Sequence, residues 1–256
     1  VHFLASLSPA DVAYRSVMAA ASDLAAMGAS PQALLLALTL PEADRVWLEG
    51  FSRGLAEART AIGAPLVGGD TTRGSLSLTV TVLGSTPADQ YLTRSGAQPG
   101  DRLCVSGTLG DAAAGLAVLS GQLAVDDSAA AFLTTRYIRP AAQLALGQAL
   151  RDCATACIDI SDGLLSDAAH IASASGVRLE IDSALLPLSE TLRSSADLDQ
   201  SLDWALAGGD DYELLFTLPD NTPLPDGCME MGRVVAGSGI SCDRNPERIG
   251  YDHFRR

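Results

Sequence analysis

The stretch CIDISDGLLSDAAHIASASG, residues 157–176, forces a strand and a helix into direct succession. In IDIS, Ile158 and Ile160 point to one face and Asp159 to the other, so a short buried strand ends on a carboxylate. Asp162 and Gly163 then open DGLLSDAAHIASASG, which reads as a helix. A buried strand end is a costly place for carboxylates unless a cation compensates them. A joint of this kind belongs to folds that mix strands and helices, and the rest of the chain repeats the mixture.

SPADVAYRSVMAAASDLAAMG, residues 8–28, is punctuated as a helix, with Ser8 as cap, Pro9 in the first turn and Gly28 at the end. QALLLALTLP follows as a buried strand, and a second helix is expected from about 43 to 62, closed by Gly63. In SLSLTVTVLGS, Leu76, Leu78, Val80 and Val82 alternate with Ser and Thr, the pattern of a half-buried strand. TRSGAQPGD, residues 93–101, is rich in turn formers and marks the domain boundary, giving an N-terminal unit 1–97 and a C-terminal unit 98–256. Beyond it, DRLCVSGT, CIDI, VRLEID and YELLFTLP read as strands. GDAAAGLAVLSG and a stretch from about 141 to 154 read as helices. The fold class is α/β, with α+β mixing, in two domains.

Charge narrows the chemistry. The 256 residues carry 31 acidic and 17 basic side chains, for a net charge of −14, which disfavours nucleic acid and anionic membranes as partners. Every basic residue is Arg, so a P-loop lysine, a Schiff base and a lysine general base are all excluded. No apolar run reaches the ~18 residues of a membrane span. VHFLASLSPADVAYR has no basic region leading into an apolar one, so no signal peptide is expected. Five cysteines without a CxxC pair fit a reducing cytoplasm better than zinc or a disulfide framework.

Four acidic spots lie where elements end or beside small residues. They are Asp23, Asp70 in GGDTT, Asp159 with Asp162, and Asp210 with Asp211 in GGDDYE. Hard oxygen ligands dispersed over several elements suit Mg²⁺, which keeps waters and shares its shell with substrate phosphates. Gly68 and Gly69 would let backbone approach a bulky anion, Thr71 and Thr72 add hydroxyls, and Arg73 and Arg94 are the nearest cations. The amides that open the helix after Asp162 also favour phosphate. Each feature has a plainer reading. Asp23 could be a solvated helix position, Asp70 could belong to a turn, and Asp162 alone reads first as an N-cap. His2, His170 and His253 are more often surface or core residues than catalysts.

Taken in order, VHFL, PADVAYRSVMAAASDLAAMGA, GGDTTRG, LTRSGAQPGD, IDISDGLLSDAAHI, GGDDYELLF, GRVV and GYDHF resemble the thiamine-monophosphate kinase family over essentially the whole chain. That family belongs to the aminoimidazole ribonucleotide synthetase superfamily, and the resemblance implies its two-domain α/β fold and a homodimer formed through the N-terminal sheet. It implies ATP-dependent phosphorylation of thiamine monophosphate to thiamine diphosphate, by direct in-line transfer with several Mg²⁺ ions and no protein nucleophile. Carried over by position, Asp23, Asp70, Asp159 and Asp162 are metal ligands. Gly69, Asp70, Arg94 and Ser161 contact the nucleotide, and His2, Asp210 and Tyr251 contact the substrate.

The family also carries an acidic GDD motif and a second STDT-like metal motif upstream of HFL. A longer natural product is therefore expected, and a chain starting at Val1 is expected to be a poor kinase. The segment between Leu215 and GRVV looks short for the family. A catalytically impaired nucleotide-binding module, another ATP-using member of the superfamily and a metal-dependent phosphohydrolase are the alternatives. YDHFRR lacks the terminal Cys of the hydrogenase-maturation dehydratase.

Overall fold

The computed structural model describes residues 3–246 and 249–251. Helix α1 (Pro9–Ala26) is capped by Ser8, whose hydroxyl accepts from the Asp11 amide at 3.2 Å. Strand β1 (Ser30–Leu40) is followed by α2 (Arg45–Ile62), which starts later than expected because Asp44 caps it through the Trp47 amide. Gly63 closes α2 in the left-handed conformation, as its position in the sequence suggested. Strand β2 (Leu66–Arg73) pairs parallel to β1, and β3 (Ser77–Ser85) pairs antiparallel on the other side, giving the order β2-β1-β3. Leu76 of the alternating run lies just outside β3 and is exposed. The helices cover one face of this sheet, where Val17, Met18, Leu34 and Ala58 pack together, while every residue of β2 is exposed.

The second sheet has six strands in the order β5-β7-β4-β8-β6-β9. Its strands are β4 (Arg102–Ser106), β5 (Ala156–Asp159), β6 (Arg178–Ile181), β7 (Leu214–Leu218), β8 (Cys228–Val235) and β9 (Gly239–Cys242). Its helices are α3 (Asp111–Leu119), α4 (Asp127–Ile138), α5 (Leu144–Leu150), α6 (Leu164–Ser175), α7 (Glu190–Ser195) and α8 (Leu198–Ala207). Neighbours pair antiparallel except β6 and β9. The helix expected over 141–154 is confined to α5, and the residues after it form turns. Helix α4 and strands β8 and β9 were not foreseen. The alanines of DDSAAAFLTTRYI carry no strong apolar stripe, and only Leu133 and Tyr137 of this helix are buried.

Both faces of this sheet are covered. Leu103, Val105, Ile158 and Leu215 pack under α6 and α8 on one face, and Cys104, Cys157, Phe216 and Leu218 form the other. Ala25 and Ala26 of α1 belong to that second core, whereas Val17 and Met18 belong to the core of the three-stranded sheet. One helix is thus built into both sheets. Gly147 on α5 permits close contact with α1, since a Cβ there would stand 1.9 Å from the Ala25 carbonyl oxygen. Arg139, at the end of α4, adds ion pairs to Asp11 and Glu57 of the first two helices.

Candidate active site

The site is organised around the segment that leaves β5. Ile158 and Ile160 enter the core and Asp159 lies on the opposite side, as the alternation requires. Asp159 is buried, and burial pushes its carboxyl up to about 6; the charge of Asp23 adds to this, while Ser22 and Arg94 favour ionisation. Asp23 stands exposed at the cavity mouth, yet partial shielding also raises its carboxyl against the pull of Arg94. Asp23, Thr93, Arg94 and Asp159 line a cavity of about 240 Å³. Behind it the Ser22 hydroxyl is fully buried and has no hydrogen-bond partner among the described residues, although it stands near enough to favour the Asp159 carboxylate.

Two adjacent carboxylates destabilised by burial and by each other form a place that a cation would relieve. They fit Mg²⁺, which takes one or two protein carboxylates and completes its shell with water and phosphate oxygens. No group of three or more His, Cys, Asp or Glu suited to holding a metal occurs among the described residues.

A second, larger cavity of about 530 Å³ is lined among others by Ser161, Asp162, Trp204, Asp210, Tyr212 and Tyr251. Asp162 is not the N-cap of α6. Gly163 occupies that position at φ +125°, with Ala207 so close that a Cβ would stand 2.9 Å from its carbonyl. Asp167 accepts from the amides of Ser161, Asp162 and Gly163 at 3.0, 3.1 and 3.2 Å. Those three amides are occupied by a side chain, and of them only that of Gly163 belongs to the opening of α6. The Asp162 carboxylate is left to face the cavity. Tyr251 is tied to this turn by its amide, which donates to the Asp162 carbonyl at 2.8 Å.

The GGDDYE segment divides its acids. Asp210 and Tyr212 sit at positive φ, +70° and +53°, an uncommon conformation for residues with side chains. The Asp210 and Tyr212 amides donate to the Ser161 and Ile160 carbonyls at 2.9 Å each, which fixes the segment against the β5 exit. Asp210 faces the cavity. Asp211 turns inward, accepting from the Gly110 amide at 2.9 Å, and burial pushes its carboxyl well up. Glu213 is buried between the Ser106 hydroxyl at 2.5 Å and Arg136 at 2.9 Å. Asp111 accepts from Thr108 and Ser189, both at 2.6 Å, and also faces Arg136.

The structure therefore gathers Asp23, Arg94 and Asp159 at one cavity, and Ser161, Asp162, Asp210 and Tyr251 at the next. Asp70 and Gly69 line neither. Asp70 lies in the exposed strand β2 opposite Ala37, and its Oδ1 accepts from the Thr71 amide at 2.8 Å. GGDTT is a strand, not a turn. Gly69 is explained by the sheet itself, since at φ +152° a Cβ would stand 1.9 Å from the Leu36 carbonyl oxygen. His2 and His253 lie outside the described residues. Arg15, Ser22, Arg136, Trp204 and Tyr212 were missed from sequence. Arg15 and Ser22 did leave a signal, being polar residues in phase with the buried stripe of Val12, Met18 and Ala25.

Comparison with known proteins places both parts in one class. Residues 1–86 match the model of the AIR synthase related protein N-terminal domain, and residues 98–238 match that of the C-terminal domain. Thiamine-monophosphate kinase from Escherichia coli K12 is 46% identical over 269 residues, spanning 99% of this chain and 83% of the relative. The Haemophilus influenzae enzyme of that name is 47% identical, with the same coverage. The crystal structure of thiamine-monophosphate kinase from Stenotrophomonas maltophilia superposes with a TM-score of 0.90 at 41% identity, covering 95% of this chain and 81% of that one. AaThiL complexed with AMPPCP and TMP gives a TM-score of 0.93 at 36% identity, covering 99% and 84%. The hydrogenase maturation protein HypE of E. coli, at 23% identity and a TM-score of 0.77, shares the fold. The fold and the paired domains are those of the AIR synthase related class. Within it, this chain belongs to the thiamine-monophosphate kinase family.

Proposed function

We propose that the protein transfers the γ-phosphoryl group of ATP to the phosphate of thiamine monophosphate, giving thiamine diphosphate and ADP. The observation that carries this reading is that one short segment, residues 159–162, supplies a carboxylate to each of the two cavities. Asp23 and Asp159 line one, and Asp162 and Asp210 line the other. A phosphate oxygen of thiamine monophosphate attacks the γ-phosphorus, and the bond to the bridging oxygen of ADP breaks in line. Such a transfer asks for positioning and charge neutralisation more than for a protein nucleophile. The cysteines offer none, since burial raises the thiols of Cys104, Cys157 and Cys228.

Asp23 and Asp159 would hold Mg²⁺, which would neutralise polyphosphate charge, and the family resemblance adds Asp162 and Asp70 as further ligands. Arg94 reaches the nucleotide from the smaller cavity, and Ser161 contacts it from the larger one. Gly69 and Asp70 keep their nucleotide role on sequence grounds. Asp210, Tyr251 and His2 serve the thiamine end, where the larger cavity also presents Trp204 as an aromatic surface. Exposed Leu35, Val67 and Leu83 on the three-stranded sheet support a homodimer through that sheet. Five unpaired cysteines support a cytoplasmic setting.

The test is incubation with ATP, Mg²⁺ and thiamine monophosphate, with products resolved by chromatography. Thiamine diphosphate and ADP should form in equal amounts. Release of inorganic phosphate without thiamine diphosphate would favour the phosphohydrolase reading instead. Direct transfer also requires intersecting double-reciprocal lines, and a labelled phosphoenzyme that turns over would contradict it.

A further inference from the structure

Arg15 is a buried cation on the helix that also carries Asp23, and it does not itself line either cavity. Three residues it touches all line the larger one. Its Nη2 lies 2.5 Å from Asp210 Oδ1, its Nη1 donates to the Tyr137 carbonyl, and its guanidinium sits 4.1 Å from the Tyr137 ring centroid and 5.9 Å from that of Tyr212. The Tyr212 hydroxyl donates to the same Asp210 Oδ1 at 3.1 Å. Burial and the charge of Asp210 keep that phenol protonated, so it acts as donor. With Oδ1 taken by two donors, Oδ2 is, among the described residues, the carboxylate oxygen left to accept from a bound molecule.

We infer that Arg15 is a positioning residue for thiamine monophosphate. From behind the cavity wall it fixes the Asp210 carboxylate, with Tyr212, so that one oxygen is presented to an N–H donor of the substrate's organic part. This rests on the proposed function and assigns a residue outside the cavity to substrate selection. The planar guanidinium suits the task because it bonds to carbonyl and carboxylate while stacking on two rings, which an ammonium cannot do. Asp210 also needs such a restraint, since its backbone is held at φ +70° and its side chain is one-third exposed. Asp23 lies eight residues further along the same helix, about 12 Å at ~1.5 Å per residue. The two ends of the site are therefore referred to one rigid rod.

The experiment compares wild type with Arg15→Lys and Tyr212→Phe. Calorimetry gives the Kd for thiamine monophosphate and for a non-hydrolysable ATP analogue with Mg²⁺, and steady-state kinetics gives KM and kcat. Arg15→Lys should weaken thiamine monophosphate binding about 10-fold or more, the worth of a charged hydrogen bond, with the nucleotide Kd changed less than about 2-fold. Tyr212→Phe removes one donor to Asp210 and should shift the same constant in the same direction by less. It also keeps the test decisive if Arg15→Lys does not fold. Equal weakening of both ligands, or unchanged thiamine monophosphate binding in a folded Arg15→Lys or Tyr212→Phe protein, would overturn the inference. Wild type that fails to bind thiamine monophosphate would instead defeat the functional reading.

Discussion

Asp23 and Asp159 stand at one cavity with a single exposed Arg nearby, whereas Asp111, Asp211 and Glu213 lie in the core with a named donor for each. Both groups contain acids raised by burial. They differ in what compensates them. In the core cluster, Arg136 faces Glu213 and Asp111, and hydroxyls and amides take the remaining oxygens, so the acids tie α3, α4 and β7 together. In the cavity the donors that favour the Asp159 carboxylate are Ser22 and Arg94, and among the described residues they leave its carboxyl raised. Compensation from within holds a fold, and a deficit left open to solvent invites a ligand.

The largest effect should come from unbalancing the core cluster. Arg136→Met leaves buried carboxylates without their cation and should cost about 3–5 kcal/mol in denaturant unfolding. A loss under about 1 kcal/mol would erase the distinction between the two groups.

Next is the pH response of the metal-free protein. The folded state raises the Asp159 carboxyl from 3.8 to about 6. It therefore binds a proton that the unfolded chain has released. The stability this group contributes is fully present below pH ~4 and is lost as pH rises through about 6, by an amount on the order of 3 kcal/mol. Asp159→Asn cannot ionise and escapes that loss. Relative to wild type, the variant should gain stability between pH 4.5 and 7.5 in thermal melts, and a constant difference across that range would contradict the assignment.

A smaller effect belongs to the turn after β5, which carries Ser161 and Asp162. Asp167→Ala removes the acceptor for three amides and should cost about 1–2 kcal/mol. Its activity should fall more than its stability, because Asp162 is held by the same turn. Unchanged stability would mean that water replaces the carboxylate without cost.

Periodicity and capping made much of the fold legible. Ser8 and Gly63 marked real helix ends, and the IDIS alternation put Asp159 on the correct side of its strand. Composition hid α4, whose alanines lack an apolar stripe, and a glycine pair disguised an edge strand as a turn. Within the site, the acidic motifs were visible because carboxylates beside small residues are unusual. Arg15, Arg136 and Ser22 were harder to see, since their roles depend on partners 195, 77 and 137 positions away in Asp210, Glu213 and Asp159. Local patterns do not encode such pairings. The acidic pair alone does not separate Asp210 from Asp211; the family resemblance pointed to Asp210, and the two side chains diverge where Asp210 and Tyr212 sit at positive φ.

The most direct test of the central claim is Mg²⁺-dependent turnover of Asp159→Asn beside Asp70→Asn. Each change removes a charge at almost constant volume, so the fold should persist by circular dichroism. Turnover should fall about 10²-fold or more in both, as expected when a metal-bridged contact to phosphate is lost. Full activity of Asp159→Asn at ordinary Mg²⁺ concentrations would contradict the account, and full activity of Asp70→Asn would remove the exposed strand from the site.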